Sequence, residues 1–514
     1  MALSESTSLS TSSLSRNARR TWPWSPWSLH LLLAGTAVAI PVLMVLGSLY
    51  APAGEGWKQT PGATVREYVS NTFILLAGTA GVTTVVGVAT AWCVTACDFP
   101  GRKLFAWLLV APLALPAYVV AYGYGDLLDH LIPIVIWLRQ TGGAELARSA
   151  HDILRYAAVI AVLSSVFYPY VYLAARAAFT SRSRVVVEAA RMLGCGPWGV
   201  FFRVTLPLAW PAIASGMILV SMEVINDYGA VTHFGIPTLT TGIFRFWLSF
   251  GDPDSAARIA SCALLVSFLL LAAERAAHGR RRFTEQGGRT SGPTSRYTLR
   301  GGKALLATLV CLLPILIGFG APVARLCAWT WIVGAEAWEA SFLQQIAHTL
   351  LLAFGATFLI LGLGLTLAYA ERLHPQRAVR GMSRLAILGY AIPSAVLALG
   401  VLRALGGIES VFTFGPSGDG PGIAGWLLGG SVIVLLFAYV ARFLAVAFLP
   451  TQAGLKQVCG DLDASARCLG ATPARTLVKI NLPLLSPTLW GAATLVFVDV
   501  LKELPLTLLL RPFN

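Results

Sequence analysis

Long runs of apolar residues constrain this chain more than any other feature of its sequence. A bilayer core about 30 Å thick needs about 20 apolar residues in each helical span. The composition agrees, because 56% of the residues are hydrophobic and only 12% are charged, which excludes a soluble globular domain. The sequence therefore predicts an all-α polytopic membrane protein. The runs are 29–50, 72–96, 104–124, 155–180, 206–226, 256–273, 304–326, 349–370, 384–403, 428–449 and 487–510.

The formal charge of +14 has two explanations, nucleic-acid binding and the excess of basic residues in cytoplasmic loops. Arg and Lys residues cluster in alternate loops, around 16–20, 102–103, 182–203 and 275–300. This alternation predicts a multi-pass protein in a lipid bilayer, with a cytoplasmic N-terminus and no nucleic-acid partner. Segment 1–28 begins with a Ser- and Thr-rich stretch, and we expect it to be a disordered cytoplasmic tail.

The chain repeats itself. EAARMLGCGPWGVFFRVTLPLAWPAI from Glu188 aligns with a stretch that includes DASARCLGATPARTLVKINLPLLSPTL from Asp463, at a constant offset of 276. NTFILLAGTAGVTTVVGVATAWCVTA from Asn71 aligns with the stretch from His348 at an offset of 277. We predict two tandem repeats of about six spans, 29–275 and 303–514, joined by a cytoplasmic linker at 276–302. An even number of spans separates equivalent points, so the repeats are parallel.

The two repeats differ at their ends. After Asp227 the first repeat continues to another span at 256–273, whereas only LPLTLLLRPFN follows Glu503. The second repeat lacks an equivalent of this last span, and we expect either that the native chain continues or that this one is a truncated form.

The pattern of each repeated loop predicts a short helix, a Gly turn and a second short helix that returns to the membrane. The pattern EAA, three residues, Gly and then Leu-Pro resembles the EAA loop of binding-protein-dependent ABC importer permeases. The first copy matches it fully, while the second has ASA in place of EAA with Asp463 one position earlier. The residues that the resemblance assigns to ATPase coupling are Glu188, Ala189, Ala190, Arg191, Gly194, Pro207, Asp463, Ala466, Arg467, Gly470 and Pro483.

The resemblance implies the partners and the location of the protein. Such permeases are transport subunits, not enzymes, in the bacterial inner membrane. Each coupling helix docks onto one of two cytoplasmic ATP-binding subunits, and a periplasmic solute-binding protein delivers the cargo. The sequence agrees, because its only Gly-Lys pair, Gly302-Lys303, has Tyr297 where a phosphate loop needs Gly. ATP and Mg would bind the partner ATPase, and we expect no cofactor on this chain. The ending DVLKELPLTLLLRPFN is most similar to ferric iron permeases.

Acidic residues inside the predicted spans are functional candidates, because charged side chains are costly in a membrane. Glu223 and Asp227, four apart, are expected to share a helix face, and they correspond to Asp499 and Glu503. We predict that these four acids and Asn226 line a substrate pathway and act as transient oxygen ligands for a hard metal cation. Lys502 stands where the first repeat has Asn226, and its expected alternative role is to neutralise Glu503.

Several alternatives stay open at this level. Gating of the pathway and pairing within the structure are alternative roles for the acids. Tyr118, Tyr122 and Tyr124 suit either phenolate ligands or an interfacial aromatic belt. Thiamine, a polyamine and an oxyanion are the alternative cargoes, although an oxyanion pathway would favour basic residues at the positions of Glu223 and Asp499. An ion-coupled secondary transporter would need no ATPase.

Overall fold

The computed structural model describes residues 26–50, 54–59, 62–180, 184–279, 296–334, 339–374, 377–412 and 431–511. Most of the predicted tail and residues 280–295 of the predicted linker therefore lie outside the described residues. The first half consists of helices joined by short turns. They are α1 Pro26–Gly47, α2 Glu55–Gln59, α3 Gly62–Ala96, α4 Arg102–Leu108, α5 Ala117–Gly123, α6 Asp126–Thr180, α7 Arg184–Met192, α8 Pro197–Val200, α9 Leu206–Asn226, α10 Gly229–His233, α11 Leu239–Phe244 and α12 Pro253–Gly279.

The second half follows the same order. Its helices are α13 Gly302–Ile315, α14 Ala321–Val333, α15 Ala340–Leu373, α16 Arg377–Ala386, α17 Ser394–Phe412, α18 Val432–Gln457, α19 Gly460–Cys468, α20 Pro473–Thr476, α21 Leu482–Leu501 and α22 Pro505–Leu510. Eight of the described helices are long and apolar enough to cross a membrane, and two bent helix pairs raise the number to ten. The helical, multi-pass architecture with two tandem repeats is confirmed.

Two of the predicted spans, 104–124 and 384–403, are interrupted by a sharp bend. The chain bends by 89° between Arg102–Ala114 and Ala117–Gly123, and by 114° between Val379–Ala391 and Ser394–Gly407. Each break lies at a proline, Pro116 in the first half and Pro393 in the second. Proline lacks the backbone N–H and its ring crowds the preceding turn. In both spans the helix therefore ends at the proline instead of continuing through it with a kink.

The outermost helices cross over between the halves. Helix α1 packs against α16 and α17 of the second half, while α13 packs against α3 and α4 of the first. Gly400 permits the first of these contacts, because a Cβ there would overlap the backbone of Pro41. Gly318, in the turn after α13, permits a close approach to α6, because a Cβ there would overlap the carbonyl of Ser165. Each half therefore completes its packing with a helix from the other.

The end of the predicted linker is an ordered part of the fold. Strand β1, Cys97–Asp98, follows α3 and pairs in parallel with β2, Tyr297–Thr298. Leu299 N–H also donates to the Asp98 carbonyl at 3.0 Å. Residues 297–299 of the predicted linker are therefore held by backbone hydrogen bonds to the strand that follows α3.

Asp252 closes the N-terminus of α12 and also holds the loop before α3. Its carboxylate accepts hydrogen bonds from the N–H groups of Asp254 and Ser255, the Ser255 hydroxyl and Gly56 N–H. Burial favours a raised pKa, but these hydrogen bonds outweigh it and hold the pKa of Asp252 below its ordinary value.

Asp252→Ala is expected to lower the free energy of unfolding by about 1–2 kcal/mol at pH 7, because the helix cap is lost. A carboxyl with a lowered folded pKa stabilises the fold above its unfolded pKa, about 4, and loses that contribution as the pH falls through the folded value. Unfolding of the purified protein from pH 7 to pH 3 should show the wild type approaching the variant. A constant gap down to pH 3 would contradict the assignment, and Asp252→Asn, which keeps one acceptor oxygen, should lie between the two.

Candidate functional site

A cavity of about 70 Å³ lies between the two halves, beside the break in the first bent span. Its wall contains Pro116, Tyr118 and Tyr170 from the first half and Tyr390 from the second. All five predicted pathway residues, Glu223, Asn226, Asp227, Asp499 and Glu503, line this one cavity. The duplicated acids therefore do meet, as expected for equivalent positions facing each other across the axis that relates the repeats.

Glu223 and Asn226 lie on α9 and contact the second bent span. The Tyr390 hydroxyl donates to Glu223 Oε1 at 3.3 Å, and Asn226 Oδ1 accepts the Ser394 N–H at 2.8 Å. Ser394 begins α17 directly after Pro393, so Asn226 satisfies a backbone donor that the helix break exposes. This contact ties the first half to the break in the second.

Asp227 and Glu503 lie beyond the ends of the long helices. The prediction that Glu223 and Asp227 share one helix face is therefore wrong. Helix α9 ends at Asn226, and Asp227 is extended with φ −70° and ψ 126°. Its Oδ1 accepts the N–H groups of Ala230 and Val231 at 3.0 and 3.2 Å. Glu503 Oε1 accepts Leu506 N–H at 3.2 Å. Each acid therefore caps the short helix that follows, α10 or α22, because a helix N-terminus offers unpaired donors to a carboxylate.

The second-half acids carry cationic partners. Lys502 Nζ lies 2.8 Å from Asp499 Oδ1. Lys502 therefore pairs with Asp499, whereas the sequence analysis expected it to neutralise Glu503. Glu503 Oε2 instead lies 3.4 Å from Arg442 Nε, and the side chains of both are only 5% exposed. The cavity thus contains four carboxylates and two cations, and both of the cations in its wall pair with second-half acids.

Arg442 is the charged residue of the cavity wall that the sequence analysis did not identify. It lies within α18, inside the apolar run 428–449, and donates to the Ile392 carbonyl that the break before α17 leaves without a helical partner. Its guanidinium also lies 6.0 Å from the centre of the Tyr390 ring. The available signal was an ionisable residue inside a predicted span, the same criterion that identified the acids.

The acids do not form a preassembled metal site. Within the described residues, no three His, Cys, Asp or Glu side chains are grouped so that they could hold a metal ion together. The reason is visible in their contacts, since Asp499 and Glu503 are held in ion pairs while Asp227 and Glu503 cap helices. Transient contact of Glu223, Asp227, Asp499 and Glu503 with a passing ion stays a prediction.

The two predicted coupling loops have the same backbone geometry. A glycine with left-handed backbone lies two residues after the end of α7 and of α19, Gly194 with φ 83° and Gly470 with φ 80°. In both loops that glycine and the next residue donate back to the last turn, in the arrangement of a Schellman cap. A π-helical turn then leads into Pro207 or Pro483, at Phe201–Thr205 and Leu477–Asn481. This match supports the predicted helix, turn and returning helix in both copies.

Exposure differs among the eleven residues assigned to coupling. Ala190 and Ala466, at equivalent positions, are 8% and 6% exposed and pack inward. The exposed members are Ala189, Gly194, Pro207, Arg467, Gly470 and Pro483, while Glu188 and Arg191 are half-buried. Apolar side chains surround the exposed members, with Met192 89%, Leu193 85% and Leu469 88% exposed. The loop tips therefore present apolar surface that a partner would cover.

Asp463 lies inside the second loop. Its Oδ2 accepts from Arg372 Nε at 2.7 Å, and its Oδ1 accepts from Asn481 Nδ2 at 3.0 Å. Arg372, at the end of α15, also donates to the carbonyls of Leu455 and Val458. With 7% of its surface exposed, Asp463 anchors the loop to the spans instead of presenting its carboxylate to a partner.

Arg191 in the first loop contacts the linker. Its Nε donates to the Tyr297 hydroxyl at 3.2 Å, and its guanidinium lies 4.5 Å from the centre of the Tyr297 ring. Strand β2 thereby ties α7 to the end of α3. The equivalent Arg467 donates to the Asp463 carbonyl within its own helix.

Tyr297→Ala is expected to raise amide exchange at Leu299 about two- to fivefold, because a cation–π contact contributes about 0.5–1 kcal/mol. Tyr297→Phe keeps the ring and should give a smaller increase. Hydrogen exchange read by mass spectrometry over 296–302 measures the effect. Unchanged exchange in Tyr297→Ala would show that the strand pairing does not depend on Arg191.

Comparison with known proteins gives a consistent result. The family model described as "Binding-protein-dependent transport system inner membrane component" matches residues 83–278 and again 360–511. The Fe(3+)-transport system permease protein FbpB 2 of Haemophilus influenzae is 25% identical over 493 residues, 94% of this chain and 89% of that protein. The molybdenum transport system permease protein ModB of Escherichia coli K12 is 32% identical over 191 residues, 36% of this chain and 81% of that protein. A probable sulfate transport system permease protein, cysT of Chlorokybus atmophyticus, is 26% identical over 274 residues, 50% of this chain and 89% of that protein.

Proposed function

Because this chain belongs to the family of binding-protein-dependent transport system inner membrane components, we propose that it is the permease of an ATP-driven importer whose cargo is ferric iron. It lies in the bacterial inner membrane with its N-terminus in the cytoplasm. A periplasmic solute-binding protein delivers the ion, and two cytoplasmic subunits bind and hydrolyse ATP with Mg. The chain itself catalyses no reaction.

The charge of the cavity between the halves carries the cargo assignment. Four acidic and two basic side chains give its wall an excess of acidic groups. Carboxylate and phenol oxygens, here also from Tyr118, Tyr170 and Tyr390, are the ligands that hard cations prefer. A volume of about 70 Å³ holds an ion with a few waters, but not a large organic chelate, in this conformation.

Continuous helices connect the coupling loops to these acids. Helix α9 starts one residue before Pro207 and reaches Asn226, so 21 residues, about 30 Å, separate the first loop from the cavity. Helix α21 connects the second loop to Asp499 in the same way. ATPase closure that moves both loops would shift Glu223 and Asp499 directly. Alternating access then requires the pairs Lys502–Asp499 and Arg442–Glu503 to rearrange as the ion passes.

An oxyanion is the competing cargo, because two of the relatives named above are permeases for molybdenum and sulfate. Arg442 and Lys502 would supply positive charge for an anion. Both, however, already pair with carboxylates, and Glu223 and Asp227 add two more negative groups, which repel an anion. Thiamine and polyamines, being cations, fit the charge but not the small volume.

Uptake of labelled solutes tests the proposal. Cells that carry the permease, its ATPase and its binding protein are compared with cells lacking only the permease, using radioactive ferric iron, molybdate and sulfate. Permease-dependent uptake of iron alone is expected. Uptake of molybdate or sulfate without iron would overturn the cargo, and uptake that persists without the ATPase would favour an ion-coupled transporter.

A further inference from the structure

Lys502 breaks the symmetry of the cavity between the halves. At the repeat offset its equivalent is Asn226. Asn226 Oδ1 accepts the Ser394 N–H at 2.8 Å and so ties the break at Pro393 to the first half. A lysine ammonium has donors but no acceptor, so Lys502 cannot make this contact with Ala117, the equivalent of Ser394. The lysine therefore has a role other than holding the helix break.

Lys502 lies among the acidic side chains of this cavity. Its Nζ lies 2.8 Å from Oδ1 of Asp499, three positions earlier in the chain. Glu223 and Glu503 line the same cavity of about 70 Å³. Among the described residues of the wall, the other basic side chain is Arg442. The ammonium group therefore lies in the space that a cation crossing the cavity would enter.

The two basic side chains of the cavity are held differently. Arg442 pairs with Glu503 where both side chains are only 5% exposed, and it also donates to the Ile392 carbonyl. The Lys502 side chain is 24% exposed, and among the described residues Asp499 is its one ion-pair partner. Lysine has a flexible four-carbon stem, so the ammonium group can leave Asp499 without a change in the backbone. Lys502 is therefore the cation of the two that is able to move.

A cargo cation and Lys502 compete for the same carboxylate. A cation that binds Asp499 must displace Lys502, because two positive charges at one carboxylate repel each other. The displacement costs the same for every cation, but an ion of higher charge interacts more strongly with the acidic side chains of the wall. A weakly bound cation therefore leaves the ammonium group in place, whereas a hard trivalent ion displaces it. The lysine thus raises the charge that a cargo needs.

We propose that Lys502 is an internal counter-ion of the transport pathway. It occupies Asp499 in the empty cavity and yields this carboxylate to the cargo. When the coupling loops move α21, the ammonium group returns to Asp499 and helps to expel the cargo. Lys502 thereby sets both the specificity for highly charged cations and their release. The inference rests on the proposed function, because it requires a cationic cargo.

Binding of gallium(III), a trivalent cation that prefers oxygen ligands and is not reduced, tests this role. Equilibrium dialysis against citrate-buffered gallium uses the purified permease with its ATPase subunits in detergent. Lys502→Met removes the competitor and should bind gallium about tenfold more tightly, the ratio expected when one charge-assisted hydrogen bond no longer has to be broken. Calcium at equal concentration should bind to Lys502→Met and not to the wild type. Lys502→Arg keeps the charge and should resemble the wild type.

Uptake by cells separates the counter-ion role from a structural one. Because release is slowed, Lys502→Met should show a lower maximal rate of radioactive ferric iron uptake per assembled permease. Lys456→Met removes an exposed lysine outside the cavity and should match the wild type in both assays. Lys502→Gln keeps a hydrogen-bond donor for Asp499 without the charge and should behave like Lys502→Met. It replaces Lys502→Met if thermal unfolding shows that the latter does not fold.

The outcomes distinguish the counter-ion role from the cargo itself. Equal gallium affinity of the wild type and Lys502→Met would overturn the counter-ion role alone and leave Lys502 as a structural partner of Asp499. Weaker binding by Lys502→Met would overturn it too, because the lysine would then support the site. Gallium binding by neither protein would overturn the cation cargo, and the counter-ion role with it.

Discussion

Arg442→Leu should destabilise the protein by about 3–5 kcal/mol, the cost typical of removing one partner from a buried ion pair. The substitution leaves Glu503 charged in a site where its side chain is only 5% exposed. It also removes the donor to the Ile392 carbonyl at the helix break. The free energy of unfolding in detergent, measured by denaturant titration, should fall accordingly.

A second substitution and a matched control make this result specific. Adding Glu503→Gln to Arg442→Leu removes the uncompensated charge and should restore most of the loss. Arg403→Leu breaks an ion pair with Asp254 in which the Asp254 side chain is 47% exposed, and it should cost at most about 1 kcal/mol. Equal losses for Arg442→Leu and Arg403→Leu would contradict the buried role of Arg442.

Asp463→Ala should detach the second coupling loop from the spans. It removes charge-assisted hydrogen bonds to Arg372 and Asn481, which predicts a loss of about 1.5–3 kcal/mol in the free energy of unfolding. It should also reduce recovery of the ATPase subunit with the purified permease, because α19 would no longer be held in place. Both quantities can be measured on the same preparation.

Asp461→Ala is the matched control for this second prediction. Asp461 lies two residues earlier on the same helix and is exposed, so its removal should change neither stability nor recovery of the ATPase subunit. If Asp463→Ala were as stable as Asp461→Ala yet lost the ATPase, the carboxylate would contact the partner directly, as the sequence alone suggested.

Local patterns were sufficient to predict the spans, the duplication and the loops. Apolar run length reports membrane helices because the bilayer imposes a length, and Gly194 and Gly470 stood out because left-handed backbone favours glycine. The same reasoning identified Glu223 and Asp499, since ionisable residues in apolar runs are rare.

The helix breaks and the partners of the charged residues could not be predicted, because they depend on contacts between segments that are distant in the chain. A proline inside an apolar run is compatible with a tolerated kink or a full break, and the break at Pro393 is stabilised by Asn226 and Arg442, 167 and 49 positions away in the chain. Asp227 was expected to continue a helix, but its carboxylate instead caps α10. Pairing of Asp463 with Arg372 across 91 positions likewise has no local signature.

Uptake of radioactive ferric iron by cells carrying Glu223→Gln tests the central claim most directly. The amide keeps an acceptor for the Tyr390 hydroxyl, so the fold should survive while the cavity loses a negative charge. Asp254→Asn removes a charge outside the cavity and serves as the control. The account predicts a loss of uptake of about tenfold or more for Glu223→Gln, with normal assembly of the ATPase. A tenfold loss corresponds to about 1.4 kcal/mol of lost interaction in the pathway. The control should show wild-type uptake. Wild-type uptake by Glu223→Gln would contradict it and leave the cavity carboxylates with a structural role.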